Sequence, residues 1–426
     1  MAGNTVYSLL TAFVMFYLTD TVGLNMGIVG TLIFVSKLID ALTDIAFGRM
    51  LDKTNTRFGK ARPWMLWAYI GNAVMLVCCF AIPEGLGEFS KYAYFFIAYT
   101  MLNAVFFTAH NISYSSLTSL LTKNANERVQ LGSYRFFCAF LTKIIVQYIT
   151  VDAVAALGGG ARGWRVLAII YAVVGLAINT ISVFSVKELR EEAPKTEEKS
   201  TLSFAQSLGV AFKNKYFTVL CIIYLLIYLD NGFTAMGIYF AKYIIGNESV
   251  YGDISVAFNL PIMITLLVAP IITKKLRGAY KINIIGYVIA IVGRICLAVA
   301  AYKGSVLWLL VFTAVGAVGI APLKATNNAL VSACAEYTYK KTGHKLDGIM
   351  FSCASFGIKI GGALGAVCGW LLNAAGYVEN APVQSAATVT MLNVLYLWAP
   401  IGLCVVMLAL LFFLRVEKAN EKLDSK

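Results

Sequence analysis

Apolar runs long enough to cross a bilayer recur from one end of this chain to the other, and no other feature restricts its fold so tightly. Inside hydrocarbon every backbone N–H and C=O must find a partner within its own segment, so such runs commit the chain to helices. A span takes about 20 residues at 1.5 Å of rise each. Twelve runs are read, near residues 1–20, 26–50, 63–83, 92–120, 132–156, 164–186, 216–244, 252–273, 282–302, 305–334, 348–375 and 388–414. Only 13% of the 426 residues are charged, against roughly 25% in soluble domains, which excludes a soluble globular class. The first run is short, strongly apolar only from Val6 to Leu18, with Met1 almost inside it. The expectation is a native start further upstream, or a shortened helix. No basic segment precedes Val6, so no cleavable signal is read.

The net charge of +13 sits mostly in short loops, and the loops alternate. One set carries Lys53, Arg57, Lys60 and Arg62, then Lys123 and Arg128, Lys187 and Arg190, Lys274 and Lys275, Lys340 and Lys341, and the tail from Arg415. The other holds little beyond Lys91, Arg162, Arg165 and Lys303. This is the positive-inside pattern of a multi-pass protein of the plasma (inner) membrane with both termini cytoplasmic, and not a nucleic-acid surface. The longest polar connection, Lys187 to Ser203, falls mid-chain. The expected organisation is therefore a six-helix bundle over 1–187, a cytoplasmic linker over 188–214, a second six-helix bundle over 215–415 and a tail over 416–426. A short amphipathic helix is expected from Leu202 to Phe212. The nine cysteines lie in apolar runs without C-x-x-C spacing, and there are two histidines, so neither a zinc site nor a disulfide framework is indicated.

The ionisable residues inside the runs carry the chemistry. Asp40 and Asp44 are four apart, one helical turn on one face, and Lys37 reaches that face. A carboxylate near the bilayer centre costs about 2.5–3.5 kcal/mol, and two repel unless a cation or a shared proton compensates. A small hard cation takes oxygen ligands, so Thr43 beside the pair and Thr108 on the fourth span are candidate hydroxyl ligands. If the coupling ion is sodium, Asp40 and Asp44 are the metal ligands. Lys359, beside a stripe formed by Gly357, Gly361, Gly365 and Gly369, can occupy the carboxylates when the cation is absent, making Lys359 and Lys37 coupling candidates. Of the other charges inside spans, Arg294 and Lys324 are read as structural pairs or snorkelling residues. His110 is read as packed, and Asp230 as equally suited to pairing or to function.

From Asp40 onward the chain resembles the glycoside–pentoside–hexuronide cation symporters, the melibiose permease-like family of the major facilitator superfamily. The likeness runs through Asp40, Asp44, Gly48, Asp52, Thr54, Arg57, Gly59, Lys60, Arg62, Pro63 and Trp64. It returns at Asn111-Ile112-Ser113-Tyr114, with Ser113 where proline is usual, at Glu127, Arg128 and Arg135, and at Thr342-Gly343, Asp347-Gly348 and Lys359-x-Gly361. The resemblance implies an all-α membrane protein of twelve transmembrane helices in two six-helix bundles. It implies a cation site at Asp40, Asp44 and Thr108, with Thr43 where melibiose permease has asparagine. It implies substrate contacts from Arg135, Lys359 and from Asn4 and Asn111, which stand where melibiose permease has aspartates. Ser115 stands where that protein has tryptophan. Amides still hold sugar hydroxyls, while the loss of two negative charges, with Arg135, Lys143 and Lys359 nearby, suits a carboxylated sugar.

The expected function is sugar or glycoside symport coupled to Na+ or H+, for glucuronides or other hexuronides, pentosides or glycosides, by alternating access. The protein is expected to act as a monomer in the lipid bilayer with no cofactor beyond the coupling ion. Asp52, Arg57 and Arg62 are assigned to a cytoplasmic gate. The alternatives are a lysolipid or amphiphile transporter on the same fold and a non-transporting sugar sensor. No H-E-x-x-H, G-x-S-x-G or phosphate-loop motif supports an enzyme.

Overall fold

The computed structural model describes residues 1–54, 56–122, 125–188, 204–276, 278–344 and 346–424. Among them there is no strand, and the chain runs as α1 (Ala2–Asp20), α2 (Met26–Lys53), α3 (Arg62–Cys79), α4 (Glu88–Thr100), α5 (Thr108–Leu121), α6 (Ala125–Ala156), α7 (Gly160–Ser185), α8 (Phe204–Lys213), α9 (Lys215–Ala235), α10 (Gly237–Phe240), α11 (Val250–Leu276), α12 (Ala279–Tyr302), α13 (Val306–Thr342), α14 (Asp347–Leu364), α15 (Val367–Ala374), α16 (Ala386–Asn393), α17 (Ala399–Phe413) and α18 (Val416–Asp424). Three π-helical stretches interrupt the ladder, at Met101–Phe107, Ala241–Ile245 and Val394–Trp398.

Ten of the described helical segments are long and apolar enough to cross a membrane, where the sequence reading counts twelve. The two runs that fall short are α1 and α3. Both are formed helices, but α1 carries Asn4, Thr5, Ser8, Thr11 and Thr19, and α3 carries Arg62 and Asn72. α1 is buried along most of its length, so it meets protein rather than lipid and does not need a fully apolar surface. The amphipathic helix expected over Leu202–Phe212 is α8; residues 189–203 of the linker lie outside the described residues.

The chain divides into two compact units, one of Met1–Pro194, Ala235–Ser255 and Ala366–Leu392, the other of Lys195–Thr234, Val256–Gly365 and Asn393–Lys426. In the first, Tyr17, Phe80 and Trp164 form an aromatic knot, with Phe80 stacked on Trp164 at 5.6 Å between centroids. The Tyr69 hydroxyl passes through the gap that Gly175 leaves and donates to the Ala2 carbonyl at 3.1 Å, fixing the start of α1. In the second, α12 and α13 cross with their backbones nearly touching. A Cβ at Gly319 would collide with the backbone nitrogen of Ala290, so small residues are obligatory at this crossing. The stripe on α14 packs against α9, where Gly361 meets the Leu225 carbonyl and Gly365 meets Gly232.

One local device occurs once in each unit. The Glu188 carboxylate accepts from the backbone nitrogens of Lys60, Ala61 and Arg62, at 2.6, 3.1 and 2.8 Å, and so caps α3. The Glu417 carboxylate accepts from Ala279 at 2.8 Å and Tyr280 at 3.1 Å, and so caps α12. In both cases a glycine of positive φ, Gly59 at 108° and Gly278 at 137°, lies against the carboxylate and turns the chain into the helix. Carboxylates suit helix N-termini because unpaired N–H groups and the positive end of the helix dipole meet there.

Candidate functional site

α2 starts with a built cap. The Asn25 side chain accepts from Gly27 and Ile28 at 3.0 and 3.2 Å and donates to Asn373 at 2.8 Å, while Glu379 accepts from the Met26 nitrogen at 3.0 Å. α2 then runs beside α4 and α5 in the same direction. The Tyr92 hydroxyl receives the Asn25 N–H at 2.8 Å near one end, and Thr108 meets Asp40 at mid-length. The Thr108 hydroxyl donates to Asp40 Oδ1 at 2.6 Å, which brings together two of the residues read as cation ligands.

The same hydroxyl lies 3.1 Å from the Asn103 carbonyl. The helix widens to a π turn over Met101–Phe107, in which the Asn103 carbonyl also accepts the Thr108 backbone N–H, and re-forms as an α-helix at Thr108. A carboxylate, a hydroxyl and a main-chain carbonyl thus converge on one partly buried spot. Among the described residues no three His, Cys, Asp or Glu side chains gather as a metal site. Asp44 lies one turn along α2, partly buried. The Thr43 hydroxyl donates to the Asp40 carbonyl at 3.0 Å, which leaves its lone pairs unspent. Lys37, Asp40 and Asp44 all interact with neighbouring groups. Lys359 also does, and it lies on α14 in the other unit.

Arg135 is held by α5. It donates to the Ser115 hydroxyl at 2.9 Å and lies over the Tyr114 ring at 4.9 Å, so α5 holds the guanidinium in place. Ser115 in turn donates to the Asn111 carbonyl at 2.7 Å, which puts Asn111, Ser115 and Arg135 in one polar corner. Among the described residues the side chains of Asn111 and Asn4 hold no hydrogen bond, so both amides keep donors and acceptors unspent. His110 is packed, as its sequence context suggests: Nε2 meets Asn179 Oδ1 at 2.9 Å, and Asn179 donates to the Met65 carbonyl at 3.0 Å.

Of the residues assigned to a gate, Arg62 donates through Nε to the Val183 carbonyl at 2.8 Å, on α7 of its own unit. Arg57 is exposed, and the Asp52 side chain lies outside the described residues. Arg294 forms a two-pronged pair with Asp230, at 3.1 and 2.9 Å, in accord with structural pairing. Lys324 takes no part in it.

The sequence reading passed over a node at the C-terminal end of α1. Asp20, whose side chain is 1% exposed, accepts from Lys242 Nζ at 2.8 Å, from the Thr19 hydroxyl at 2.7 Å and from the hydroxyls of Tyr243 and Tyr377. Those four donors fill its acceptor sites. Beside the node is a cavity of about 360 Å³, walled in part by Phe16, Trp164 and Glu248. Lys242 falls inside the expected run 216–244, and a charge within that run is the signal that points to it. Asp20 reads as an ordinary helix-end residue until its partner, 222 positions away, is seen beside it.

Ten described helical segments of membrane-crossing length and apolarity mark a multi-pass membrane protein. Comparison with known proteins is specific: a family model described as MFS/sugar transport protein matches residues 1–418, and the chain belongs to that family. The isoprimeverose transporter of Lactiplantibacillus pentosus is 31% identical over 429 residues, covering 99% of this chain and 88% of that protein. The inner membrane symporter YicJ of Escherichia coli K12 is 27% identical, covering 96% of this chain and 88% of its own. Among solved structures, a bacterial homologue of the human lysosomal transporter Spinster, inward-facing and unoccupied, aligns with a TM-score of 0.69 at 13% identity, covering 98% of this chain and 95% of that one. The chain is thus a multi-pass membrane transporter and not an enzyme.

Proposed function

We propose that this protein is a cation-coupled symporter for a sugar or glycoside, with a sodium ion or a proton held at Asp40 and Asp44 and completed by Thr43 and Thr108. The observation that carries the reading is the Thr108 hydroxyl on Asp40 at 2.6 Å, set where a π turn also brings the Asn103 carbonyl within 3.1 Å of that hydroxyl. A lone carboxylate inside an apolar helix is costly, and oxygen ligands gathered round it make sense once a cation shares the spot. Asn4, Asn111 and Arg135, held by Ser115 and Tyr114, are the substrate-facing groups, and Lys359 the coupling ammonium.

The reading includes twelve helices in two six-helix halves, a plasma-membrane location with both termini inside, and alternating access between the halves. Coupling is reciprocal: a cation that tightens sugar binding is tightened equally by the sugar. The test is counterflow in proteoliposomes across a panel of glycosides, each run with sodium, lithium or a proton gradient alone. Sugar exchange that responds to one of these ions supports the reading. Exchange indifferent to all three removes the cation from it, and binding without exchange makes the protein a sensor.

A further inference from the structure

α1 packs against α2, α3, α6, α7 and α10, and most of its residues are buried. One stripe stays open. Asn4, Tyr7, Thr11 and Met15 follow one another at steps of three and four residues, so they share one face of the helix. Within α1 only Tyr7 and Thr11 are exposed, Tyr7 by 40%. One face of the Tyr7 ring is backed by Phe107, stacked at 5.6 Å between centroids with 18° between the planes. A close approach of the two segments sets this stacking: a Cβ at Gly3 would meet the His110 ring at 2.9 Å. Asn4 and Asn111 adjoin that contact in the chain, Asn4 one turn before Tyr7 and Asn111 one turn after Phe107. One turn beyond Tyr7, the Thr11 hydroxyl donates to the Tyr7 carbonyl at 2.8 Å.

Polar company sets this ring apart from aromatic side chains that face lipid. Amides and hydroxyls are costly against hydrocarbon, and Asn4, Thr11 and Asn111 all border the Tyr7–Phe107 stack. Tyr114, in the corner that holds Asn111 and Arg135, is already covered by the guanidinium. Tyr7 keeps its exposure. A pyranose ring matches this layout, because its faces are made of C–H bonds and its rim of hydroxyls. The C–H bonds are slightly positive and suit the negative face of an aromatic ring, while amides at the edges take the hydroxyls. An aromatic wall with a few polar groups around it is how a small-molecule site fixes orientation.

We propose that Tyr7, backed by Phe107, is a specificity residue: the platform on which a pyranose ring lies flat, with Asn4 and Asn111 at its edges. The inference rests on the sugar-transport reading and deepens it. The platform selects for a ring with an apolar face, whatever charge the sugar carries, and an open chain of hydroxyls gains nothing from it.

The experiment uses the full-length protein in nanodiscs and measures binding of methyl β-D-glucopyranoside, methyl β-D-xylopyranoside and D-glucitol, in wild type, Tyr7→Phe, Tyr7→Leu and Tyr7→Trp. Both pyranosides carry every ring substituent equatorial, so their faces are flat C–H surfaces, and glucitol has the hydroxyls without the ring. Wild type is expected to bind at least one pyranoside more tightly than glucitol. Tyr7→Leu should weaken that pyranoside roughly tenfold, the worth of covering one ring face, and leave glucitol unchanged. Tyr7→Phe should keep most of the affinity, and the indole emission of Tyr7→Trp should shift when the pyranoside is added. A Tyr7→Leu protein that binds like wild type, or that loses both ligands equally, overturns the inference. So does a Tyr7→Phe loss as large as that of Tyr7→Leu, or a wild type that holds neither pyranoside. If Tyr7→Leu does not fold, Tyr7→Phe and the Tyr7→Trp emission decide, and emission blind to saturating pyranoside overturns the inference. Counterflow of any glycoside alongside these failures leaves the transport reading intact, and counterflow of none removes that reading as well.

Discussion

Asp40→Asn isolates charge from shape at the centre of the proposed cation site. The amide is nearly the size of the carboxylate and still offers an oxygen to the Thr108 hydroxyl, which now sits 2.6 Å from Asp40 Oδ1. The fold should therefore hold, with thermal unfolding of the purified protein moving by no more than about 1 kcal/mol equivalent, the net worth of one ordinary hydrogen bond. Cation binding should collapse. At about 4 Å and an effective dielectric near 20, one unit charge contributes about 4 kcal/mol to a neighbouring cation. Repulsion between Asp40 and Asp44 is present with and without the cation, so it cancels from the binding step. About 4 kcal/mol corresponds to nearly a thousandfold, which moves half-saturation beyond any accessible sodium concentration. The assay is a sodium or pH titration of sugar binding, with counterflow run beside it. Counterflow of sugar should survive in part, and accumulation against a gradient should be lost. An unchanged cation dependence in a folded Asp40→Asn protein refutes the assignment.

Other expectations follow from contacts described above. Asp20→Asn and Lys242→Met should each lower the melting temperature in detergent, and the double variant should lose less than the two combined. Breaking one side of a buried pair costs about 3–5 kcal/mol, a figure reduced here because the Lys242 side chain is 23% exposed. Additive losses would show that the pair is not coupled. Glu188→Gln should loosen the start of α3 by about 1 kcal/mol, read as faster hydrogen exchange at Lys60–Arg62 with α12 unaffected. Gly319→Leu should abolish monodisperse protein on size exclusion, since the new side chain meets the Ala290 backbone, which cannot yield as a flexible side chain does.

Much of this molecule is legible in its sequence because hydrocarbon leaves the backbone so few options. The expected runs coincide with helices, and Asp40, Asp44 and Thr108 stand out as polar atoms in apolar company. The weak point in span counting is α1, whose polar positions make sense only once it is seen buried among other helices. What a linear reading misses is juxtaposition. Nothing in MLNAVFF announces a π turn, yet that turn gives Thr108 a second acceptor. Asp20 looks ordinary until four donors from three stretches of chain close on it, and Arg294 looks like any charge inside a span until its two-pronged bond to Asp230 is seen.

The matched pair of glutamates deserves a last consequence. Glu188 and α3 lie together before residues 189–203, and Glu417 and α12 lie together after them, so neither seam needs that stretch of polypeptide. Severed between residues 195 and 203 and synthesised as separate pieces, each fragment would keep its own fastening. Coexpressed halves should then reassemble into a working carrier. Deleting either glutamate should cripple that complementation far more than it cripples the intact polypeptide.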